Sequence, residues 1–165
     1  MIAQSTLDGP TLREAFGQYP SGVVAVCAEI GGERIGMAAS SFVSVSLDPP
    51  LVAVCPQNTS ATWPRLQESP RIGISILGET HNGAVRSLSA KIGDRFEGLT
   101  THTHEGGAVF IEGASVWLNT SVEQELPAGD HTIIVLRIND LSLQPNVAPI
   151  VFHRSGLHRI QQESA

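Results

Sequence analysis

Short apolar runs separated by turn residues make up most of this chain. The runs are rich in Val, Ile and Leu and end at Gly, Pro, Asp or Asn, which is typical of β-strands. They occupy residues 22–30, 51–55, 71–77, 108–122 and 131–143. Gly31-Gly32 predict a hairpin turn after the first run, and residues 149–160 predict a final hairpin. The pattern therefore predicts roughly six to eight strands.

Residues 33–47 are predicted as one longer strand that is half exposed. Two sets of side chains alternate along its second half, with Phe42, Ser44 and Ser46 on one face and Val43, Val45 and Leu47 on the other. Alternation of this kind places successive side chains on opposite faces of a sheet. Asp48-Pro49-Pro50 ends the strand, because proline cannot donate to a strand ladder.

Helical signals are few, and the predicted helices lie at 10–16, 62–69 and 78–93. The first two carry a proline in the first turn, where its missing N–H is tolerated. In the third, Val85, Leu88 and Ile92 have helical spacing. Many short strands with few helices favour a closed or nearly closed antiparallel β-barrel over a doubly wound sheet.

Length and charge narrow the classes of function. The chain has 165 residues and a formal net charge of −6, which predicts a single domain over residues 1–165. The acidic balance disfavours binding to nucleic acid or to an anionic membrane. No run is long enough to span a membrane, and the N-terminus lacks the pattern of an export signal. We therefore expect a cytoplasmic protein with no nucleic-acid or membrane partner.

The cysteines and histidines do not form a recognisable metal motif. Cys27 and Cys55 lie in Val- and Ala-rich runs, so both are predicted to be buried free thiols. His102 and His104 lack a third ligand at a typical spacing, so we expect a solvated loop and no metal. The alternative is a zinc-dependent hydrolase built on these histidines and a carboxylate. The G-x-G-x-x-G, P-loop and G-x-S-x-G motifs are absent.

One long segment, GMAASSFVSVSLDPPLVAVCPQNTSATWPRL at residues 36–66, resembles the short-chain flavin reductases. These FMN-binding split-barrel enzymes supply reduced flavin to two-component monooxygenases. The resemblance continues in the family's order through LREAFGQYPSGVVAVCA (12–28), GDRFEG (93–98), GDHTIIVLRI (129–138) and PIVFHRSGLHRI (149–160).

The resemblance implies a fold, an activity and partners. The fold would be mainly β, an antiparallel split β-barrel of Greek-key type with a few short helices. The activity would be NADH-dependent reduction of free FMN or FAD by hydride transfer. The resemblance further implies a homodimer with each flavin near the subunit boundary, and a separate monooxygenase reached by diffusion of reduced flavin. The alternative is a flavin-binding or flavin-storage protein of the same barrel without reductase turnover.

The resemblance also implies a set of flavin-binding residues, and their chemistry agrees with it. Small side chains at 38–41 suit a flat ring, and the alternative is a plain strand of small residues without a ligand. Hydroxyls before a helix that starts near residue 63 suit a phosphate, and the alternative is a helix cap that binds no ligand. Arg95 adds positive charge, or is a solvated loop residue. The implied set is Met37, Ala38, Ala39, Ser40, Ser41, Cys55, Ser60, Thr62, Trp63, Arg95 and Phe96; for the two aromatic residues, packing is the alternative.

His131 is the implied catalytic residue, placed to hold the nicotinamide. It begins the strongest β segment, where a structural histidine is the alternative. The resemblance places His153, Arg154 and Gly156 near NADH as well. In the last strand the family's usual aromatic residue is replaced by Leu157-His158.

Overall fold

The computed structural model describes residues 6–161 and 163; residues 1–5, part of the segment without an export-signal pattern, lie outside this range. The described residues form three helices, α1 (Gly9–Gly17), α2 (Trp63–Leu66) and α3 (Asn82–Leu88). Helix α1 begins where the sequence predicts, because Asp8 caps it. The Asp8 carboxylate accepts a hydrogen bond from the Thr11 amide at 2.8 Å, and Pro10 occupies the first turn.

Twelve strands occur in the described residues, more than the six to eight predicted. They are β1 (Ser21–Gly22), β2 (Val24–Ile30), β3 (Glu33–Ala39), β4 (Val43–Leu47), β5 (Pro50–Val54), β6 (Ile72–Ile76), β7 (Thr101–Thr103), β8 (Val109–Ile111), β9 (Val116–Ala128), β10 (His131–Leu143), β11 (Ile150–His153) and β12 (Gly156–Arg159). The prediction was too low because strands of two or three residues, such as β1 and β7, are too short to show an alternating pattern.

Seven strands form the main sheet in the order β3-β2-β6-β9-β10-β5-β4, and every neighbouring pair is antiparallel. The two edge strands, β3 and β4, are consecutive in the chain and joined only by residues 40–42. A link of this length spans at most about 14 Å between Ala39 and Val43. The sheet must therefore curl until its edges approach each other, which makes a barrel that is split between β3 and β4.

Strand β2 separates two apolar clusters because both of its faces are buried. Val24 and Val26 face the barrel interior with Ile74 and Leu136, among others. Ala25 and Cys27 point to the opposite face, where α3 and the loop after it cover the sheet. The near-continuous apolar run at 22–30 reflects this burial on both faces. Gly31 and Gly32 have positive φ and close the hairpin to β3, as predicted.

The segment 33–47 is two strands rather than one. Residues 40–42 contain no Gly or Pro, so the sequence gives no turn signal where the chain crosses from one sheet edge to the other. The apolar side chains of β4, Val43, Val45 and Leu47, face solvent in this chain, whereas Phe42 packs against the barrel core. The exposed side chains of β4 therefore include the apolar set of the predicted alternation.

Two predicted helices are shorter than expected. Helix α2 has a single turn and does not continue to residue 69. Helix α3 ends at Leu88, so Ile92 is outside it and 89% exposed. Leu88 alone among the three spaced apolar residues is fully buried.

Among the described residues, no helix has both the length and the apolar character that crossing a membrane requires.

Candidate functional site

An open cleft of about 530 Å³ lies beside the split of the barrel, between the end of β3 and the residues that follow β5. This volume lies within the usual range for small-molecule sites. The cleft brings together nine of the eleven residues implied as flavin-binding, together with His131. Its lining consists of Met37, Ala38, Ala39, Ser40, Ser41, Cys55, Pro56, Gln57, Thr59, Ser60, Ala61, Thr62, Leu88, Ser89, Lys91, Arg95 and His131.

The floor of the cleft is the end of β3 and the link that follows it. Ala38, Ala39 and Ser40 present short side chains, so a planar ring can lie close to the backbone. Ser41 fixes this link, because its Oγ accepts a hydrogen bond from the Cys55 amide at 2.9 Å. The bond joins the end of β3 to the end of β5 and holds the split at a defined width.

One end of the cleft is lined by hydroxyl groups. Ser60 Oγ accepts hydrogen bonds from the amides of Thr62 and Trp63, both at 3.2 Å. The amides expected to be available to a phosphate are therefore already engaged, and α2 is too short to supply a strong dipole. The Ser60 hydroxyl itself keeps its proton for an anion, because it acts here only as an acceptor.

Arg95 is held beside these hydroxyls rather than free in solvent. Its Nε donates to the Ala90 carbonyl at 2.8 Å, and its Nη1 donates to the Gly36 carbonyl and to Thr62 Oγ1, both at 3.0 Å. The solvated-loop alternative for Arg95 is therefore wrong. Since Thr62 Oγ1 accepts from the guanidinium, its own proton is available to a ligand. Arg95, Thr62 and Ser60 therefore present a positive charge and two hydroxyl donors side by side, a combination that is chemically suited to an anion.

His131 reaches the cleft rim through the β9–β10 hairpin. Residue Gln57 pairs with His131, and the Thr132 amide donates to the Pro56 carbonyl at 3.1 Å. Asn58 secures the same hairpin, since its Nδ2 donates to the Gly129 carbonyl at 3.1 Å and its Oδ1 accepts from the Thr132 hydroxyl at 2.8 Å. Asn58 is therefore committed to the hairpin and not to a ligand.

The ring of His131 has a defined orientation. Its Nδ1 lies 2.7 Å from Asp130 Oδ1, and this hydrogen bond is the main cause that lowers the pKa of the Asp130 carboxyl. An ionised carboxylate only accepts, so Nδ1 carries the proton. Nε2 is then the nitrogen left for a ligand at the cleft rim.

Trp63 and Phe96 lie in the core instead of the cleft wall. Trp63 is 7% exposed within the barrel interior, and its Nε1 donates to Glu125 Oε1 at 3.4 Å. Phe96 is buried against Cys27 and Leu88. These positions favour the packing alternative for both aromatic residues.

The structure does not bring His153, Arg154 or Gly156 into the cleft. They belong to the C-terminal hairpin, whose turn is anchored on α1 by a hydrogen bond from the Arg154 amide to the Gly17 carbonyl at 3.1 Å. Arg154 faces Arg13 across a separate cavity of about 400 Å³. The hairpin approaches the cleft floor through Phe152, which lines a cavity of about 130 Å³ beside Ala38 and Ala39.

Sequence reasoning missed the contribution of the segment after α3. Leu88, Ser89 and Lys91 line the cleft opposite the floor. Lys91 is the only lysine of the chain and precedes Arg95 by four residues, which was the available signal. It adds a second cation to the end of the cleft that contains Arg95.

The two thiols differ, and only one matches the prediction. Cys27 is fully buried, and desolvation raises its pKa to about 12. Cys55 is half-buried and lines the cleft, so the prediction of full burial was wrong for it. Burial raises the pKa of the Cys55 thiol as well. Both are free thiols that stay protonated at neutral pH, so neither is an activated nucleophile.

The histidines at 102 and 104 pack on an aromatic residue. Their ring centroids lie 5.1 and 6.0 Å from that of Trp117, and His102 belongs to β7, so the segment is not simply a solvated loop. Within residues 6–161 and 163, no group of three His, Cys, Asp or Glu side chains is arranged to hold a metal ion. The zinc hydrolase alternative therefore lacks a site in this part of the chain.

Comparison with known proteins identifies relatives over nearly the whole chain. The family model described as "Flavin reductase like domain" matches residues 16–161. A flavin reductase of Pseudomonas putida is 34% identical over 156 residues, covering 94% of this chain and 92% of that protein. The reductase subunit HsaB of a flavin-dependent monooxygenase from Mycobacterium tuberculosis H37Rv is 29% identical, covering 95% of this chain and 85% of that subunit.

Solved structures show the same architecture. The NADH:FAD oxidoreductase SgcE6 of Streptomyces globisporus C-1027 superposes with a TM-score of 0.89 at 30% identity, covering 98% of this chain and 99% of that one. The same oxidoreductase has been solved in complex with NAD and FAD fragments. The split-barrel fold expected from the sequence is confirmed by these comparisons.

Proposed function

Because the chain belongs to the flavin reductase-like domain family, we propose that it is an NADH-dependent flavin reductase that reduces free FMN or FAD and supplies the reduced flavin to a partner monooxygenase. One observation carries the proposal most directly. A floor of small residues, an end of hydroxyls and cations, and an oriented histidine meet in a single cleft. These three features match the ring of a flavin, its phosphate and the approach of a nicotinamide.

We assign the flavin to the cleft with its ring on residues 38–41. Met37 and Cys55 flank this floor. The phosphate accepts hydrogen bonds from the hydroxyls of Ser60 and Thr62, whose protons are not used within the protein. Arg95 and Lys91 supply the compensating positive charge. Trp63 and Phe96 support the site from the core behind it.

The protein contributes binding and orientation, because the hydride chemistry belongs to the flavin and the nicotinamide. His131 presents Nε2 at the open side of the cleft, where it can accept a hydrogen bond from the nicotinamide carboxamide. The Asp130 carboxylate fixes the ring that does so. His153, Arg154 and Gly156 are proposed to contact the remainder of NADH from the C-terminal hairpin, with Arg13 across the neighbouring cavity.

We further propose that the protein acts as a homodimer whose partner subunit covers an exposed apolar surface. We define the β4 surface as Val43, Val45 and Leu47 with Leu141 and Leu143 of β10. Leu47 pairs with Pro50 and Leu51 pairs with Arg137, so the end of β4 lies near the distal half of β10. Leu47 is 96% exposed. An apolar edge strand of this kind invites pairing with another chain.

The release of reduced flavin and the cellular location follow from the proposed reaction. The cleft is open, so reduced flavin can leave it and reach a separate monooxygenase by diffusion. We propose that the whole chain acts as one domain in the cytoplasm, where NADH is available and free thiols persist.

Steady-state oxidation of NADH in the presence of FMN, FAD and riboflavin tests the function. The expected result is turnover that depends on added flavin and yields dihydroflavin under anaerobic conditions. A flavin-storage protein would bind flavin without oxidising NADH. Flavin binding without any turnover with NADH or NADPH would replace the reductase with that alternative.

The role of His131 is tested with His131→Ala. We expect turnover with NADH to fall by about 100-fold, because a small misplacement of the nicotinamide removes the near-attack geometry. Flavin affinity, measured by calorimetry, should stay near the wild-type value. His102→Ala, which removes a ring whose centroid lies 5.1 Å from that of Trp117 outside the cleft, is the matched control and should retain turnover. A parallel loss of flavin affinity in His131→Ala would assign this residue to the flavin site instead.

A further inference from the structure

A second open cavity, of about 630 Å³, adjoins the proposed flavin cleft at its phosphate end. It lies between the start of β3, helix α2 and the loop at residues 93–96. Ala61, Thr62 and Arg95 line both cavities. The two cavities are therefore contiguous, and the residues proposed to bind the flavin phosphate stand at their junction.

Because the junction lies at the proposed phosphate position, the length of the flavin decides whether it reaches the second cavity. An FMN placed in the cleft ends at its phosphate, beside Thr62 and Arg95. The side chain of Arg95 is fixed there by its bonds to Gly36 and Thr62, so the fold holds a positive charge beside the proposed phosphate position. An FAD placed in the same way continues past this point, and the adjoining cavity is the space next to its second phosphate.

The charges around the second cavity suit a further phosphate. Arg34, Arg65 and Arg95 line it together with two carboxylates, Glu33 and Asp94. This is a local excess of positive charge in a chain whose formal net charge is −6. Phosphate recognition by guanidinium groups is favoured by paired, charge-assisted hydrogen bonds.

The two additional arginines are held in different ways. The Arg65 Nη2 pairs with Glu33 Oε2 at 2.7 Å, and the Arg65 side chain is 51% exposed, so it can turn to a ligand. The Arg34 guanidinium lies 4.9 Å from the centroid of the Phe96 ring and donates to Thr101 Oγ1 at 2.9 Å. Arg34 therefore contributes fixed charge, and Arg65 is the residue available for direct contact.

We propose that the second cavity binds the AMP half of FAD and that this protein prefers FAD to FMN as its flavin. The proposal rests on the proposed function, because it takes the cleft to be the flavin site. Arg65 contacts the phosphate nearer the adenosine. The ribose hydroxyls and the adenine amine can donate to the Glu33 carboxylate, which only accepts.

The test compares calorimetric dissociation constants for FAD, FMN and riboflavin in the wild-type protein and two variants. We expect the wild type to bind FAD about tenfold more tightly than FMN, a difference of about 1.4 kcal/mol. Arg65→Ala should remove this preference while the affinity for FMN stays within about twofold. Arg137→Ala is the matched control, because Arg137 also pairs with a glutamate on the surface, Glu123, at 2.8 Å. Its ratio of FAD to FMN affinity should equal that of the wild type.

Competition with AMP supplies a second measurement. AMP should weaken the binding of FAD and leave the binding of riboflavin unchanged. Equal affinities for FAD and FMN in the wild type, or an FAD preference that survives Arg65→Ala, would overturn the proposal and leave the reductase function standing. If Arg65→Ala raises only the Michaelis constant for NADH, the second cavity binds the nicotinamide dinucleotide, and this result would also overturn the proposal. Absence of binding by all three flavins would instead refute the proposed function.

Discussion

At the scale of single residues, the proposed phosphate site depends on hydroxyls that act as acceptors within the protein and keep a proton to donate. Ser60 Oγ receives two backbone amides, and Thr62 Oγ1 receives the Arg95 guanidinium. In both hydroxyls the acceptor role is filled by a donor of the protein, so the proton remains to be donated to a ligand. This arrangement reduces the reorganisation required when a phosphate binds.

Replacing Ser60 and Thr62 together with Ala should weaken the binding of FMN and FAD by tenfold or more, on the order of the 1.5 to 3 kcal/mol attributed to one hydrogen bond to a charged group. Riboflavin lacks the phosphate, so its affinity should change little. Dissociation constants for the three flavins, measured by calorimetry, check the expectation.

The conservative pair Ser60→Thr and Thr62→Ser is the control for this prediction, since it retains both hydroxyls and should retain phosphate recognition. The double Ala variant also removes a cap from two amides near α2, which costs about 1 kcal/mol of stability. Thermal unfolding therefore accompanies the binding data. An equal loss of affinity for all three flavins would show that the substitutions disturb the cleft and not a phosphate contact.

At the scale of elements, the site depends on how closely strands approach each other. Gly73 of β6 has no side chain, and β8 crosses it so closely that an added methyl group would overlap the backbone of Val109. Ser75 on the same strand accepts a hydrogen bond from the Ile111 amide at 3.0 Å, which holds β8 in this position. The face of the sheet that supports α3 is thereby fixed.

Gly73→Ala should destabilise the protein by about 3 kcal/mol, because relief of the overlap requires movement of β8 backbone rather than of a flexible side chain. Gly22→Ala in β1 is the matched control, as no atom lies within 4 Å of the added methyl group there. Its free energy of unfolding should stay within about 0.5 kcal/mol of the wild type. Urea denaturation measures both, and similar values for the two variants would contradict the close approach of β6 and β8.

At the scale of the whole molecule, the proposed assembly follows from the exposed β4 surface. Stable dimers of this kind usually bury upwards of about 2,000 Å². Light scattering at micromolar concentration should report twice the mass of one chain, and dilution to the monomer should abolish flavin binding. If a monomer binds flavin with full affinity, the subunit interface is not part of the flavin site.

A charged substitution within the β4 surface tests the same assembly directly. Leu47→Glu should shift the mass toward the monomer, because a carboxylate would be buried against the second subunit without a partner. Its effect on the fold of one subunit should be small, since Leu47 is 96% exposed. Ile92→Glu, at a position that is 89% exposed and outside the β4 surface, should remain dimeric. Equal masses for the two variants would exclude β4 from the interface.

The sequence by itself determined the elements with a long, regular pattern. The strand at 131–143 and the C-terminal hairpin are where the runs of apolar, β-branched residues predict them. Nine of the eleven flavin-binding residues implied by the family resemblance line one cleft, and the short side chains at 38–41 and the hydroxyls at 60 and 62 are features that the sequence displays. Local propensity and residue type are properties of a few neighbouring positions, so the sequence reveals them.

Only the tertiary structure decided the contacts between distant segments. Arg95 looks like a loop charge in the sequence, and its bonds to Gly36 and Thr62 exist because the fold brings β3, the start of α2 and the loop after α3 together. Trp63 follows a promising run of hydroxyls, yet its ring is in the core because α2 turns it inward. The break at residues 40–42 is likewise invisible in the sequence, because these residues include no Gly or Pro to mark a turn. Hydrogen bonds and burial of this kind depend on residues far apart in the chain, which become neighbours only when the sheet curls.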